Sequence, residues 1–335
     1  MVPAIAVADA LRAEGAEVFF VGGQRAEAEL VPAAGYALET LKVEGISRSN
    51  PLKAARAVAR AGGALLAAQR ILARRRPDVV LGGGGYVAGP VGLAGVMRGL
   101  PLVLTEADSH LGLTNRALAG RARRVCLAFP LPGREGPRYV VTGRPVPPAT
   151  SERSAARARF GFAAGERVVL VFGGSLGARS INLAAPVAFA DAPYRVLHVA
   201  GRRDAADVRS PGPHYVLRDY VAPFGDALAC ADLAVARAGG SIFELAQHGL
   251  PAVLVPYPHA TADHQTANAR WMQAGGAAVV VADADLTAER LRSEVDALVG
   301  DPGRLAAMAR ASAALARPDA AQAVAAEVLA AAAGR

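Results

Sequence analysis

The turn Gly173-Gly174-Ser175 has the residue types of an anion-binding loop. It follows residues 168–172, which have the continuous aliphatic pattern of a buried strand, and it precedes a segment with helical periodicity. Backbone N–H groups and the positive end of a helix dipole favour phosphate at such a turn. Ser175 adds a hydroxyl donor. A tight turn without a ligand is the alternative. The spacing is not the G-x-G-x-x-G of dinucleotide-binding folds.

A second glycine turn, at residues 82–85, also follows an aliphatic segment and leads into Tyr86. Consecutive glycines cost chain entropy and supply little packing. The run therefore predicts close approach of a ligand or of another part of the backbone, and a flexible turn is the alternative.

A third turn, at residues 238–241, places Glu244 in the first turns of a predicted helix. This carboxylate either favours the helix dipole or accepts hydrogen bonds from two vicinal sugar hydroxyls. Gln265 and Asn268 are three residues apart, so they share one helix face and can bind a hydroxylated ligand together.

Two segments contain residue types that bind metals, but neither is predicted to hold one. His259, Asp263 and His264 do not have the spacing of a metal motif. Residues 283–285 match the D-x-D of metal-dependent glycosyltransferases, yet they precede a strong helix start, where Asp285 or Thr287 is predicted to cap the helix. We expect no metal and no cofactor.

The elements that must position these residues alternate between strand and helix. Strands are predicted at residues 17–21, 78–81, 102–104, 168–172, 195–199, 233–235, 252–255 and 277–281. Helical segments lie between most of them, which is typical of parallel sheets in an α/β fold. The ligand crevice of such sheets lies beyond the carboxyl ends of the strands.

Length and composition support two folded domains. The chain has 335 residues, 53% of them hydrophobic, which suits two domains of ordinary size. Residues 77–95 and 166–185 share a strand, glycine turn and helix layout, on either side of the Pro-rich stretch 130–148. We therefore predict two doubly wound domains with a boundary near residues 143–151 and a binding site between them.

Charge and cysteine content limit the classes of partner and site. The formal net charge of +8 favours phosphates, nucleotides, nucleic acid or an acidic membrane surface, without choosing among them. Cys126 and Cys230 are the only cysteines, so a disulfide scaffold and a cysteine-based metal site are excluded.

The segment 79–97 is uncharged over nineteen residues, which is long enough for a membrane span, but seven of them are glycine. A strand, a loop and a helix fit it better. A second segment mixes apolar and basic residues in a way that suits contact with an anionic bilayer. Its members are Leu52, Lys53, Arg56, Val58, Arg60, Leu65, Leu66, Arg70 and Ile71. Residues 74–76 are three arginines that end a helix and complement its dipole.

The chain begins unusually for this architecture. Residues 3–13 predict a helix, whereas a doubly wound domain normally begins with its central strand. We therefore expect the natural protein to start further upstream, with one more strand and one more glycine loop.

In this order the motifs resemble the MurG family of UDP-N-acetylglucosamine transferases, which convert lipid I to lipid II in peptidoglycan synthesis. The matching segments include GGGGYVAGP, LTEADSHLGLTNRALA, VVTGRPV, VFGGSLGARSIN and RAGGSIFELAQHGLPAVLVPYPHATADHQTANA. The resemblance implies a GT-B fold with two Rossmann-like domains facing across a cleft. It also implies inverting, metal-independent chemistry at the cytoplasmic face of the cell membrane, and no nucleic acid partner.

The resemblance also implies roles for individual residues. Donor contacts would come from Gly173, Gly174, Ser175, Ile242, Glu244, Gln265, Asn268 and Arg144. Among these, the glycine loop would hold the UDP diphosphate. Glu244 would bind the ribose, and Ile242 would lie near the uracil. Gln265 and Asn268 would hold the N-acetylglucosamine. The acceptor would face Gly84, Gly85, Tyr86 and Asn115. Residues 1–145 would form the acceptor domain and 146–315 the donor domain, while 316–335 would form a helix returning to the first domain.

Departures from the family pattern affect the catalytic base. The histidine of the family's first glycine loop would precede Met1, and residues 105–108 read Thr-Glu-Ala-Asp where His-Glu-Gln-Asn is common. Glu106 and Asp108 are therefore the base candidates. Arg144 is a possible substitute for an arginine often found at the position of Pro147.

Two other functions stay open. One is a different GT-B enzyme acting on UDP-sugars, such as a glycolipid transferase or an epimerase. The other is a nucleotide-binding homologue with impaired catalysis, which the absence of the first loop favours.

Overall fold

The protein is an α/β molecule with two compact units. The computed structural model describes residues 1–24, 26–41, 51–150 and 152–334, with the backbone alone at residue 26 and at residues 51–61. One unit comprises Met1–Val146 with Arg317–Arg335, and the other comprises Pro147–Ala316. Each is built on parallel strands connected by helices. The predicted α/β class with parallel sheets is confirmed.

The first unit contains two separate parallel sheets. Its helices are α1 (Val2–Ala13), α2 (Ala26–Ala33), α3 (Pro51–Arg75), α4 (Gly85–Met97) and α5 (Leu113–Leu118). Its strands are β1 (Phe19–Gly22), β2 (Ala37–Thr40), β3 (Val80–Gly82), β4 (Leu102–Glu106), β5 (Arg124–Leu127) and β6 (Tyr139–Val141). β1 pairs with β2, while β3, β4, β5 and β6 pair in chain order. Phe19 and Val21 of β1 pack in the same core cluster as Val80 of β3.

Sequence patterns miss three of these strands. β2 lies on a half-exposed edge, and β5 begins with Arg124. β6 is an edge strand of three residues within the stretch 130–148, and its Val141 is exposed. β2 and β6 have few buried positions, and in β5 Arg124 and Cys126 interrupt the aliphatic run on which the predictions depend.

The segment 79–97 forms β3, a glycine turn and α4, as predicted. Among the described residues, no helix has both the length and the apolar character needed to cross a membrane.

The second unit is a single six-stranded parallel sheet covered by helices. Its strands are β7 (Val168–Phe172), β8 (Arg195–Val199), β9 (Tyr215–Arg218), β10 (Leu233–Ala236), β11 (Ala252–Leu254) and β12 (Ala278–Val280). Its helices are α6 (Arg153–Arg159), α7 (Arg179–Ala188), α8 (Gly225–Cys230), α9 (Ser241–Gln247), α10 (His264–Ala274), α11 (Ala288–Val299) and α12 (Pro302–Ala314). The strand order is β12-β11-β10-β7-β8-β9.

The strand order of this sheet reverses between β7 and β10. From β7 the chain adds β8 and β9 on one side, and then returns to place β10 on the other side. All five residues of β7 are buried, which explains its uninterrupted aliphatic sequence. Phe172 at the end of β7 is in register with Ala236 at the end of β10. The turns that follow these two strands therefore leave the same edge of the sheet side by side.

The last helix, α13 (Ala320–Ala333), belongs to the first unit, as the sequence predicted. Val324 and Val328 pack in one buried cluster with Val7 and Leu11 of α1. Arg124 at the start of β5 donates a 2.9 Å hydrogen bond to the Glu327 carboxylate. Apolar burial and one half-exposed ion pair thus attach the chain end to the first unit.

Replacing Val328 with alanine tests this attachment. The side chain is 3% exposed, so Val328→Ala should lower the free energy of unfolding by about 2 kcal/mol through lost burial and a small cavity. Val187→Ala is the matched control, because Val187 is also helical but 67% exposed. Thermal unfolding followed by circular dichroism measures both. Equal midpoints for the two variants would contradict the packing described for α13.

Candidate functional site

Within the part of the chain that the structure describes, the N–H groups of Gly174 and Ser175 in the loop after β7 donate no hydrogen bond. Gly174 and Ser175 are exposed at the turn between β7 and α7. α7 has ten residues and no side-chain cap at its amino end. Its first N–H groups therefore lack side-chain partners, and the helix dipole adds positive potential at the same place. This geometry fits an anionic ligand such as the predicted diphosphate.

The far side of this loop touches the connection between β8 and β9 so closely that only glycine fits. Gly177 has a φ of +95°, and a Cβ there would lie 2.3 Å from the Ala200 carbonyl oxygen. A Cβ on Gly201 would lie 2.1 Å from the Gly177 nitrogen. The Arg202 N–H also donates a 3.2 Å hydrogen bond to the Ser175 carbonyl oxygen. The connection therefore supports the loop from behind.

A buried polar cluster lies under the same contact. Asn182 on α7 and His198 on β8 are 3% and 0% exposed, and the His198 Nε2 lies 2.9 Å from the Asn182 Oδ1. The Asn182 amide nitrogen donates to the Ala200 carbonyl oxygen at 2.8 Å and to Asp204 at 3.3 Å. Tyr215 lies 2.7 Å from the His198 Nδ1. Sequence patterns did not identify this cluster, although a histidine inside the aliphatic strand β8 is a visible signal.

Arg237 connects the neighbouring turns at the same sheet edge. Its guanidinium donates to the carbonyl oxygens of Val255 and Pro256 at 3.1 and 3.2 Å. It also donates to Ser180 in the first turn of α7, and it forms a 2.5 Å ion pair with Asp283. Sequence patterns did not identify Arg237 either, although an arginine directly after the aliphatic strand β10 is a visible signal.

The D-x-D segment has structural roles in this fold. Asp283 accepts hydrogen bonds from Ser180 at 2.6 Å and from Arg237. Thr287 caps α11 by accepting from the Arg290 N–H at 3.1 Å. The capping predicted for this region is confirmed at Thr287. The part of the chain that the structure describes contains no group of three or more His, Cys, Asp or Glu suited to a metal ion.

The other predicted donor contacts lie on α9 and α10. Glu244 is half-buried in the first turn of α9. The Ile242 side chain is fully buried in the core, and the Ile242 N–H donates to the Gly239 carbonyl oxygen at 3.3 Å. The Gln265 Oε1 accepts from the Tyr257 N–H at 3.0 Å. Asn268 is 2% exposed and donates to the Ala238 carbonyl oxygen at 2.9 Å, so its amide holds the turn after β10.

Just before α10 the backbone takes an unusual conformation. Ala262 and Asp263 have φ values of +52° and +53°. Left-handed backbone at non-glycine residues costs about 1 kcal/mol each. The strain lies directly before His264 and Gln265, at the start of the helix that carries the predicted sugar contacts.

In the first unit, Glu106 organises the loop that follows β4. Its carboxylate accepts hydrogen bonds from the Asp108 N–H at 3.2 Å and the Gly112 N–H at 2.8 Å. The Asn115 amide donates to Glu106 and to the Thr105 carbonyl oxygen, both at 2.9 Å. Glu106 and Asn115 are 7% and 1% exposed. Both predicted functional side chains thus hold the shape of the loop.

The glycine turn after β3 lies beside this loop. β3 and β4 are paired neighbours, and the Thr114 hydroxyl donates to the Gly85 carbonyl oxygen at 2.9 Å. Gly84 and Gly85 have φ values of +78° and +76°, which explains why consecutive glycines are required. The structure therefore brings Gly84 and Gly85 together with Glu106 and Asn115.

Four further polar residues of the first unit are at least partly exposed to solvent. Tyr86 is 40% exposed, while Asp108, His110 and Arg144 are half-buried. The His110 Nδ1 is buried and has no hydrogen-bond partner among the described residues. Sequence patterns did not single out His110.

The buried His198 predicts a pH dependence of stability. Desolvation lowers the pKa of His198 from 6.5 to about 4. Between these values the unfolded chain binds a proton that the folded chain does not, so stability should fall with falling pH by about 3 kcal/mol. Burial also lowers the pKa of His248, so both histidines contribute to the pH dependence of stability in the wild type. Thermal midpoints between pH 7.5 and 4.5 should fall less steeply in His198→Gln. Equal slopes for the two proteins would contradict a neutral, buried His198.

Comparison with known proteins agrees with this architecture. The models for the N-terminal and C-terminal domains of glycosyltransferase family 28 match residues 1–127 and 168–324. Relatives from Moorella thermoacetica and Methylococcus capsulatus are 42% and 43% identical, over 96% of this chain and 93% of each relative. Both are named UDP-N-acetylglucosamine-N-acetylmuramyl-(pentapeptide) pyrophosphoryl-undecaprenol N-acetylglucosamine transferase.

The crystal structure of Acinetobacter baumannii MurG is 28% identical, with a TM-score of 0.78 over 98% of this chain and 95% of that one. With both domain models matched in order and relatives above 40% identity over nearly the full length, the chain belongs to glycosyltransferase family 28.

Proposed function

We propose that this protein transfers N-acetylglucosamine from UDP-N-acetylglucosamine to the 4-hydroxyl of the N-acetylmuramoyl-peptide of lipid I, forming lipid II for peptidoglycan. The observation that carries the proposal is the 42–43% identity, over 96% of the chain, to relatives named for this transfer. The exposed anion-binding geometry of the Gly173-Gly174-Ser175 loop supports it independently.

The second unit binds the donor. The β7 loop accommodates the diphosphate, and Glu244 at the start of α9 accepts hydrogen bonds from the ribose hydroxyls. Gln265 contacts the sugar through its amide nitrogen, while its oxygen accepts from the Tyr257 N–H. The buried Asn268 contributes by fixing the Ala238 carbonyl. Arg144 of the first unit is a further proposed donor contact.

The first unit binds the acceptor near Gly84, Gly85 and Tyr86. The acceptor hydroxyl attacks the anomeric carbon from the face opposite UDP, which inverts the configuration there. The bond from the sugar to UDP breaks, and UDP leaves as an anion that the helix dipole and backbone donors stabilise. The proton of the attacking hydroxyl passes to a general base.

Asp108 is the proposed base, and Glu106 positions it. The Glu106 carboxylate already accepts three hydrogen bonds, two of which come from the loop that carries Asp108. A carboxylate occupied in this way is poorly placed to take a proton. Asp108 is half-buried, and its backbone N–H, rather than its carboxylate, binds Glu106.

The transfer assay tests both the activity and the assignment of the base. With UDP-N-acetylglucosamine and a lipid I analogue, the wild type should yield a disaccharide product. Asp108→Asn should lower kcat by about 10² to 10⁴ through loss of the base. Glu106→Gln should mainly raise KM for lipid I, because a new amide group faces the N–H donors of the loop.

Asp319→Asn is the control, since Asp319 is exposed at the start of α13. It should leave both constants unchanged. Wild-type kcat in Asp108→Asn would exclude Asp108 as the base. Epimerised UDP-sugar, or UDP binding without any product, would support the other two functions and contradict the proposed transfer.

We also propose that the first unit contacts the anionic membrane surface, where a polyprenyl-linked acceptor resides. Exposed apolar side chains of α3 and α4 are close in sequence to exposed arginines. Leu66, Leu93 and Met97 are 62%, 38% and 64% exposed, and Arg70 and Arg98 are exposed nearby in the chain. We call these five residues the α3/α4 patch.

The two helices of the patch are in contact. The Gln69 side chain of α3 donates to the Ala94 carbonyl oxygen of α4 and accepts from Arg98, both at 3.3 Å. Ile71, predicted to face the membrane, is instead buried in the core. The side chains of Leu52, Lys53, Arg56, Val58 and Arg60 lie outside the described residues.

Sedimentation with lipid vesicles tests the patch. The wild type should bind phosphatidylglycerol vesicles more tightly than phosphatidylcholine vesicles, because apolar insertion and charge attraction add. The double variant Leu66→Gln, Met97→Gln should bind at least about fivefold more weakly. Leu183→Gln is the control, since Leu183 is 55% exposed on α7 of the other unit. Equal binding by both variants would contradict the proposed surface.

A further inference from the structure

We propose that Asn182, His198 and Tyr215 are positioning residues that hold the β7 loop in its anion-binding conformation. Among the described residues, none of the three side chains hydrogen-bonds to Gly173, Gly174 or Ser175, and they act through the connection between β8 and β9. The inference rests on the proposed binding of UDP by this loop, and it adds the interactions that fix the shape of the loop.

The hydrogen bonds of this cluster run in one direction. The Asn182 amide nitrogen donates to the Ala200 carbonyl oxygen and to the Asp204 carboxylate. Its Oδ1 is therefore an acceptor, and the His198 Nε2 opposite must carry the proton. A neutral imidazole then has an acceptor at Nδ1, so the Tyr215 hydroxyl donates to it.

The last acceptor in this chain of hydrogen bonds is the Ala200 carbonyl oxygen, which lies in the connection that supports the loop. The Asn182 amide binds the same Ala200 carbonyl oxygen that a Cβ on Gly177 would meet at 2.3 Å. The same hypothetical Cβ would lie 2.9 Å from Asp204 and 3.1 Å from the Asn182 amide nitrogen. Asn182 and Gly177 are therefore packed against one carbonyl group, and movement of that group displaces the loop.

Burial makes this arrangement sensitive to the loss of one partner. Asn182, His198, Asp204 and Tyr215 are 3%, 0%, 6% and 3% exposed. Removing a donor leaves its acceptor desolvated and unpaired, which is costly. The Ala200 carbonyl group then shifts toward another partner, and the glycine loop that packs against it at Gly177 must move with it.

The charges around Asn182 explain why its amide is required. Asp204 is the only acidic side chain bonded to Asn182 in the described residues, and Arg203 pairs with this carboxylate at 2.7 and 3.1 Å. Arg179 at the start of α7 contributes a further positive charge. An aspartate at position 182 would place a second carboxylate against Asp204 and against the Ala200 carbonyl oxygen. The chain of hydrogen bonds would then be broken with almost no change in volume.

The test compares the binding of UDP with the binding of uridine, because only UDP carries the diphosphate. Titration calorimetry of the full chain gives both dissociation constants. Tyr215→Phe should weaken UDP binding about three- to tenfold, and Asn182→Asp more than tenfold, while uridine binding changes less than twofold. Transfer assays should show the loss mainly in KM for the sugar nucleotide.

Ser312→Ala is the matched control. Ser312 is fully buried in the same unit and donates to the Leu250 carbonyl oxygen at 3.0 Å, away from the loop. It should lower the thermal midpoint by an amount comparable to Tyr215→Phe and leave both dissociation constants unchanged. This comparison separates loss of stability from loss of positioning.

The possible results distinguish the inference from the function on which it rests. Unchanged UDP binding in both cluster variants, with a wild type that binds UDP, overturns the positioning role and leaves the proposed function intact. Parallel losses of UDP and uridine binding also overturn it, because they indicate general disruption. A wild type that binds uridine and UDP equally contradicts the diphosphate site itself.

Discussion

The reversal of strand order between β7 and β10 is the constraint on which the candidate donor site depends. In a parallel sheet, connections from two adjacent strands that lead to opposite sides leave an opening at the carboxyl edge. Because Phe172 and Ala236 are in register, the β7 loop and the turn after β10 emerge there together. Arg237 then ties the start of α7 to the end of β11 and to Asp283. The residues proposed to hold a sugar nucleotide are thus assembled by sheet topology before any ligand binds.

The loop needs a shape that most residues cannot adopt. Gly177 and Gly201 permit a backbone contact that a single methyl group would prevent. Such glycines cost chain entropy, and buried polar groups cost desolvation. The complete pairing of Asn182, His198 and Tyr215 offsets the second cost. The first unit has a similar arrangement, in which the Glu106 carboxylate accepts three hydrogen bonds and so fixes the loop beside Gly84 and Gly85.

The sequence predicts most of the strand, turn and helix units that repeat along the chain. β7 and β8 have the predicted boundaries, because most of their buried positions carry apolar side chains. The short edge strands β2 and β6 lack such runs and are missed. At the candidate sites, glycine turns mark the loops correctly, because their composition reflects a local backbone requirement. The roles of Asn182, Arg237 and Asp283 depend on partners 16 to 103 residues away, and no local pattern encodes those contacts. Burial of Ile242 and Ile71 likewise follows from packing between elements and not from helical periodicity alone.

We propose that the β7 loop binds the diphosphate of the donor through its backbone N–H groups. A crystal structure of the chain with bound UDP tests this most directly. We expect phosphate oxygens about 3 Å from the backbone nitrogens of Gly174 and Ser175 and from the Ser175 hydroxyl. A diphosphate bound at the glycine turn after β3, or one held without contact to the β7 loop, would contradict it.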